Sequence, residues 1–457
     1  MSILTAHRRY VNAGGLCYNI GVMNKRGKIR QSLKNSFIDG AFCAAFTGFT
    51  EQYITPFAVA LKASTEQIGM LTAFPNLIAS LIQLKSADVT EHLKSRMRII
   101  TIFVLFHALM FLPIALIPLL FKTHRVFWLI AFVTMAASFN AFPGPAWTSL
   151  MSDHIPRRSR GRFFGWRNRL LGIITITCAF LAGFILNTFG KDKLTGFMVI
   201  LGLALIARFI SWSFLKRMYE PPIKVTREHY FTFWDFVKRF RESNFAKFVF
   251  YVASISFAVN MSGPFFAVYM LRDLNLSYAT YTVIVISPTI ATLLTMGIWG
   301  RHADVVGNMK IIRLASFFIP LIPVLWLFGH SVAYLIIIQV FSGFVWAGYN
   351  LSIFNFVYDA VTPEKRTRCV AYLNVINGTS ICAGALLGGF LAVNLPPLFG
   401  HKLLALFALS GLLRAIFCLS ILPHIKEVRR VERIKSLDLF FSVMRIRPIE
   451  IEGEKDI

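Results

Sequence analysis

One carboxylate stands inside a long apolar stretch near the start of the chain. Residues 42–57, FCAAFTGFTEQYITPF, are nearly all apolar or small, yet Glu51 lies in their midst. Polar side chains recur at every fourth position around it, namely at Asp39, Cys43, Thr47, Glu51 and Thr55. On a helix, each four-residue step turns the side chain by about 40°, so these residues form one slanting polar stripe. Such a stripe could bind a solute or carry a proton.

Lipid is the least favourable neighbour for Glu51. A charge at the centre of a membrane-spanning helix costs at least about 2.5 to 3.5 kcal/mol, so acidic residues there face a bundle interior or a water-filled cavity. We therefore predict that Glu51 faces a cavity and changes its protonation state as a solute moves. The alternative is a carboxylic acid that stays neutral, hydrogen-bonded to Tyr53 or to a residue of the seventh predicted span.

The composition is that of an integral membrane protein. The chain has 457 residues, of which 56% are hydrophobic and 15% are charged, and its mean hydropathy is +0.61. In a soluble chain, 48 Lys and Arg against 22 Asp and Glu would suggest a nucleic-acid partner. In a membrane protein, basic residues collect in the loops on one side. We expect no nucleic-acid partner, and the scattered cysteines show no metal-ligand spacing.

Twelve apolar segments are long enough to cross a bilayer, which takes about 20 residues each. They cover residues 37–61, 66–84, 97–121, 126–151, 167–189, 195–215, 246–271, 278–299, 311–329, 332–357, 369–393 and 403–423. Lys and Arg concentrate in the N-terminal arm and in the even-numbered connections, which places both termini in the cytoplasm. The sequence predicts an all-α, multi-pass protein of the cell (inner) membrane, in contact with lipids and monomeric.

The longest internal connection divides these spans into two groups of six. We assign a basic arm to residues 1–36, six-helix bundles to residues 37–215 and 246–424, a linker to residues 216–245 and a charged tail to residues 425–457. Within the linker, FTFWDFVKRFRES alternates aromatic with basic side chains. That pattern is typical of a helix lying on an anionic leaflet, and a solvated helix is the alternative.

The two groups of spans are copies of one unit. DHIPRRSRGRFFGWRNRLLG begins at Asp153, and DAVTPEKRTRCVAYLNVING begins 206 positions later at Asp359. The same register places Gly183 over Gly389. Two homologous six-helix halves are the organisation of a transporter whose substrate site lies between them near the midplane.

Loop motifs in matching places resemble the major facilitator superfamily. In that family, the loops after spans two and eight have the form G-x-x-x-D-x-x-G-x-x-K/R. GRHADVVGNMK matches fully through Gly300, Asp304, Gly307 and Lys310. LKSADVTEHLK keeps Asp88 and Lys94 but replaces both glycines. The resemblance covers about residues 37–423 and implies the fold of that family, with two pseudo-symmetric six-helix halves.

The resemblance also implies a gate on the side of the termini. Charged groups at helix ends pair there when that side is shut and separate when it opens, and several partly desolvated pairs can shift a two-state equilibrium. The gate residues implied are Asp88, Lys94, Asp153, Arg160, Arg162, Gly300, Asp304, Gly307, Lys310, Asp359, Arg366 and Arg368. For the arginines, the alternative is a role in topology and headgroup contact alone.

In this family, spans one, four, seven and ten line the central cavity. The resemblance therefore implies a cavity lined by Glu51, Tyr53, Thr47, Asn140, Trp147, Asn260, Trp346, Tyr349 and Asn350. Aligning Pro56 with Pro264 places Val259 opposite Glu51, so the second half has no matching carboxylate. The interior of these four spans lacks Lys and Arg, which favours a neutral, cationic or amphipathic solute over a strongly anionic one.

These features predict a secondary active transporter that works by alternating access, with protons as the coupling ion through Glu51. A multidrug or metabolite efflux pump and a facilitative uniporter are alternatives of the same fold. A non-transporting membrane sensor is an alternative of another class. An enzyme is disfavoured, because the histidines are scattered without catalytic spacing. We expect a small-molecule solute as partner, and neither cofactor nor metal.

Overall fold

The computed structural model describes residues 25–93, 95–190, 192–221 and 243–429, together with residues 431, 439 and 442. The amphipathic linker pattern, Lys94 and most of the predicted tail lie outside these ranges. Within them the chain forms twelve long helices, as predicted, several of which are interrupted.

The first six helices form the first half of the molecule. They are α1 (Lys25–Thr50, continued by Ile54–Ala60), α2 (Thr65–Leu93), α3 (Arg96–Leu120), α4 (Arg125–Ala141, continued by Pro143–His154), α5 (Arg157–Thr188) and α6 (Lys193–Leu215).

The other six helices form the second half. They are α7 (Asn244–Ser262, continued by Phe265–Val268 and the π-helical Tyr269–Asp273), α8 (Tyr278–Val306), α9 (Asn308–Phe318, continued by Leu321–Leu325), α10 (Val332–Ala360), α11 (Pro363–Asn394) and α12 (Lys402–Ser420).

The helices cross the molecule alternately, which gives it two faces. We call the end at which α1 starts the termini face, and the connections α2–α3, α4–α5, α8–α9 and α10–α11 lie there. The connections α1–α2, α3–α4, α5–α6, α7–α8, α9–α10 and α11–α12 lie at the far face. The packing of α2 against α11 and of α5 against α8 joins the two halves.

Eleven of the described helices are long and apolar enough to cross a membrane, and α1 is the exception. It starts at Lys25, inside the predicted basic arm, and it carries the polar stripe. Its first turns are held against the end of α6, because the Ser32 hydroxyl accepts from the Tyr219 N–H at 2.7 Å and the Asn35 amide donates to the Arg217 carbonyl at 3.0 Å. Part of the predicted arm is therefore a continuation of the first membrane helix.

The leading helix of each half breaks near the proline that the alignment matched. Residues 51–53 interrupt α1 just before Pro56, and Gly263 and Pro264 interrupt α7. Proline has no N–H, so the carbonyl four residues earlier loses its helical partner. In α1 that carbonyl belongs to Gln52, and it accepts a hydrogen bond at 3.0 Å from the Tyr281 hydroxyl of the other half.

Candidate functional site

A cavity of about 160 Å³ lies where α1, α5 and α8 meet. The first two helices belong to one half and the third to the other, so the cavity lies between the halves. Its lining consists of Thr47, Gly48, Glu51, Gln52, Thr175, Ile176, Ala179, Ile286 and Thr289. Glu51 is the only ionisable side chain in that lining, and the other polar groups are hydroxyls and one amide.

The Glu51 side chain is exposed, and it lies at the first residue of the break in α1. Within the described residues, its carboxylate has neither a hydrogen bond nor an ion pair. Both oxygens are therefore available to water, to a proton or to a donor group of a solute.

Tyr53 lies outside the cavity, in contrast to its predicted place. The side chain is fully buried, and its hydroxyl donates to the Ala179 carbonyl at 2.5 Å. The same hydroxyl lies 2.8 Å from Thr282 Oγ1 of the other half. The alternative reading of Glu51, as a carboxylic acid bonded to Tyr53, does not match this geometry.

The six predicted residues of α4, α7 and α10 also lie outside this cavity. Asn140 and Asn350 are exposed, and Asn260 donates to the Ser256 carbonyl at 2.9 Å within its own helix. The remaining three are aromatic. The Arg167 guanidinium lies 5.0 Å from the centre of the Trp147 ring, while the Trp346 and Tyr349 rings stand perpendicular with centroids 5.2 Å apart.

The close approach of α5 to α1 explains this difference. A Cβ on Gly48 would lie 2.5 Å from the Thr175 carbonyl oxygen, so only glycine permits the contact. Thr175 of α5 and Thr289 of α8 therefore flank Glu51 in place of residues from α4 and α10. In the sequence, each of these two residues is recognisable only as a hydroxyl residue inside an apolar span. Neither was predicted, because the family resemblance limited the candidates for the cavity lining to spans one, four, seven and ten.

The termini-side end of the polar stripe lies in a buried network within the first half. The Ser211 hydroxyl donates to Asp39 Oδ1 at 2.7 Å. Arg208 donates to His107 Nδ1 at 3.2 Å and to Cys43 Sγ at 3.0 Å. These contacts tie α1, α3 and α6 together, so Asp39 and Cys43 belong to a different environment from Thr47 and Glu51.

Arg414 in α12 corresponds to Arg208 in the 206-residue register of the repeat, and it is surrounded by neutral groups. Arg414 is 2% exposed, and it donates to the Ser262 hydroxyl at 2.9 Å and to the Ile319 carbonyl at 3.3 Å. Arg208 and Arg414 thus occupy equivalent helices, but Asp39 has no carboxylate counterpart beside Arg414 among the described residues.

In the first half, the predicted gate residue Asp153 pairs with a residue that the sequence did not indicate. Arg96 at the start of α3 donates to Asp153 Oδ2 at 2.8 Å. Glu220, just after α6, accepts from the Arg96 backbone N–H at 2.6 Å. Arg160 donates to the carbonyl of Ser152 in the last turn of α4 and to that of Ile155 just after it, and Arg162 is exposed.

The second half repeats this arrangement with different side chains. Asn308 at the start of α9 donates to Asp359 Oδ2 at 2.7 Å, and Glu427 accepts from the Met309 N–H at 2.8 Å. Gly307 has a positive φ of 86°, and a Cβ there would lie 2.6 Å from Glu427 Oε2. The glycine of the loop motif thus makes room for this carboxylate.

The remaining gate residues lie around these two clusters. Asp304 is exposed, whereas Gly300, Lys310 and Arg368 are half-buried. The side chains of Asp88 and Arg366, like Lys94 as a whole, lie outside the described part of the chain. Each of the two clusters joins helix ends of a single half. The glutamates that follow α6 and α12, Glu220 and Glu427, could have been recognised in the sequence as members of these clusters, but they were not predicted.

Comparisons with known proteins agree with this architecture. The sequence profile of the Major Facilitator Superfamily matches residues 40–257 and again residues 248–448. The multi-drug resistance efflux pump PmrA of Streptococcus pneumoniae is 24% identical over 317 residues, which are 68% of this chain and 75% of the pump.

Two solved structures show the same fold. A variant of the nucleoside transporter NupG superposes with a TM-score of 0.68 at 13% identity, over 87% of this chain and 100% of that one. A D-xylose-proton symporter superposes with a TM-score of 0.67 at 12% identity, over 88% of this chain and 98% of that one. With its duplicated helices, its loop clusters and the profile match over both halves, the chain belongs to the Major Facilitator Superfamily.

Proposed function

We propose that this secondary transporter couples the movement of a cationic or neutral solute to a proton that binds Glu51. The observation that carries the proposal is the Glu51 carboxylate, which has no protein partner among the described residues. It is the one ionisable group in the lining of a cavity between the halves. Acidic residues at this depth mark ion and proton pathways in membrane proteins. A proton and a solute cation are alternative partners of one carboxylate, so binding of either releases the other.

The names of two similar proteins support this kind of chemistry. One is a multi-drug resistance efflux pump, and another is a proton symporter. The hydroxyls of Thr47, Thr175 and Thr289 and the Gln52 amide add donors and acceptors around Glu51. They suit a solute with a few hydrogen-bonding groups, and the cavity offers no cation to hold an anion.

The proposed cycle rocks the two halves about this cavity. Each cluster at the termini face ties helix ends of one half together, which favours movement of each half as a unit. Basic residues in the connections of the termini face favour a cytoplasmic location for that face in the cell membrane. Contacts between the halves near the far face, among them the one between Tyr281 and Gln52, favour access to the cavity from the termini side, in a transporter that we propose to be monomeric.

Transport by the purified chain in liposomes tests the proposal. Ethidium, uridine and D-xylose serve as cationic and uncharged probes, each measured with and without a pH gradient. Glu51→Gln removes the titratable group at nearly constant size, and Glu66→Gln, an exposed acid at the start of α2, is the matched control. We expect gradient-driven accumulation of at least one probe by the wild type and the control, and its loss in Glu51→Gln.

Other outcomes would count against the proposal. Undiminished accumulation by Glu51→Gln would exclude coupling through this residue. Movement of a probe that ignores the gradient would identify a uniporter. Failure of the wild type to move any probe while binding one would favour a sensor.

A further inference from the structure

A pair of buried hydroxyl groups lies between the halves near the far face. Tyr53 of α1 is fully buried and Thr282 of α8 is 1% exposed, and their oxygens lie 2.8 Å apart. We propose that this contact is a latch that holds the far face shut, and that Tyr53 and Thr282 are positioning residues of the transport cycle. The inference rests on the proposed alternating access, but not on the identity of the solute or on Glu51.

The surroundings of the latch show that it can open without leaving an unsatisfied group. Tyr53 can donate to the Ala179 carbonyl at 2.5 Å, within its own half. Thr282 can donate to the Tyr278 carbonyl at 2.7 Å, within its own helix. Both acceptors move with their donors when the halves part. Because Tyr53 donates to Ala179, Thr282 must donate to Tyr53 for the two hydroxyls to be bonded in the closed state. On opening, the Thr282 proton turns to the Tyr278 carbonyl, so each hydroxyl keeps a partner and no buried donor is left unpaired.

The backbone around the latch is adapted to close contact. A Cβ on Gly183 would lie 2.2 Å from Thr282 Oγ1, so α5 and α8 can approach this closely only at a glycine. The equivalent Gly389 of α11 lies against Glu66 of α2, where a Cβ would be 3.1 Å from the Glu66 Cα. Both junctions are thus built on the same repeated glycine. Beside that glycine, the described polar pair belongs to the junction between α5 and α8, whereas the polar pair between α2 and α11, Gln83 with Asn374 at 3.0 Å, lies nearer the termini face.

Two further contacts connect the halves near the latch. The Tyr281 hydroxyl donates to the Gln52 carbonyl at 3.0 Å, and Arg272 donates to the Ala63 carbonyl. Ala63 is 1% exposed in this closed state. A cysteine at this position would become accessible to water only when the far face opens, which makes it a reporter of the open population.

The experiment measures the alkylation rate of Ala63→Cys in a chain whose native cysteines have been replaced, using a membrane-impermeant reagent. Tyr53→Phe and Thr282→Val each remove one hydroxyl and nearly keep the shape. Because the rate follows the open population when opening is rare, we expect it to rise about two- to threefold in either variant. This is the low end of the range for one net hydrogen bond, since the Thr282 proton only exchanges one acceptor for another. Thr282→Ser restores the hydroxyl and should return the rate to that of the parent.

Two comparisons separate a latch from general loosening. Tyr251→Phe removes a buried hydroxyl whose contacts with Ser316 and Cys418 lie within one half, so it should not change the rate. The double variant should exceed the larger single effect only slightly, since both changes remove the same contact. Unchanged rates in both single variants, or an equal rise in Tyr251→Phe, would overturn the latch. A selective rise without transport of any probe would keep the latch and reject the proposed function.

Discussion

Asp39 and Glu51 lie about three turns apart on the same helix, and their surroundings differ sharply. Glu51 is exposed in a cavity without a protein partner among the described residues, whereas Asp39 is 4% exposed and accepts from Ser211. The four-residue spacing predicted one continuous stripe. That spacing could not show that the stripe passes from the core of one half into the cavity. The groups that surround its Asp39 end, such as Ser211 and His107, come from distant parts of the chain.

The buried network around Arg208 gives a prediction about stability. Arg208→Met removes a cation that acts on the buried Asp39 carboxylate and that donates to His107, Cys43 and Ser211. Because it leaves buried polar groups without a partner, we expect the free energy of unfolding to fall by about 1–3 kcal/mol. Arg169→Met, at an exposed position of α5, should cost little. Unfolding by dodecyl sulfate, followed by tryptophan fluorescence, provides the measurement. The double variant with Asp39→Asn should recover part of the loss, and a further loss of equal size would contradict the electrostatic explanation.

Helices α1 and α7 show how far an element could be predicted. Their breaks follow from Pro56 and Pro264, which the internal alignment had already matched. Their partners across the molecule could not be inferred, since helical spacing does not reveal which faces of α5 and α8 touch. The cavity consequently lies beside α5 and α8, where the Gly48 contact brings Thr175 close to Glu51.

The junction between α5 and α8 gives a prediction at this scale. Gly183→Ala would place a methyl group 2.7 Å from Thr282 Cβ, and such overpacking costs about 1–3 kcal/mol. We expect a lower unfolding temperature and faster alkylation of Ala63→Cys. Gly202→Ala in α6 is the matched control, because a Cβ there has nothing within 4 Å. Equal behaviour of the two variants would show that the closeness of α5 and α8 is unimportant.

The two halves of the whole molecule were predictable from the repeat, and so were the positions of their loop clusters. The partners within those clusters were not. Asp153 pairs with Arg96 and Asp359 with Asn308, because the glutamates after α6 and α12 hold the starts of α3 and α9 beside them. The clusters join helix ends within one half, so the predicted Asp153 and Asp359 contact their own half in this state.

The different partners lead to different effects of one substitution. Asp153→Asn removes the negative charge opposite Arg96, which is 4% exposed, and we expect a loss of about 1 kcal/mol for this partly exposed pair. Asp359→Asn keeps an oxygen acceptor for the neutral Asn308 amide and should cost less. Thermal unfolding of the two variants side by side tests this order. A larger loss for Asp359→Asn would contradict the assignment.

The central claim is that Glu51 lies in a cavity that opens to one side of the membrane at a time. Its most direct test is the alkylation rate of Glu51→Cys in vesicles, measured with an impermeant reagent from each side, with and without Thr282→Val. We predict reaction from both sides, and we predict that Thr282→Val raises the rate from the far side while leaving the rate from the termini side nearly unchanged, because the far-open state stays rare. A cysteine that is protected from both sides, or rates that rise together, would contradict the account.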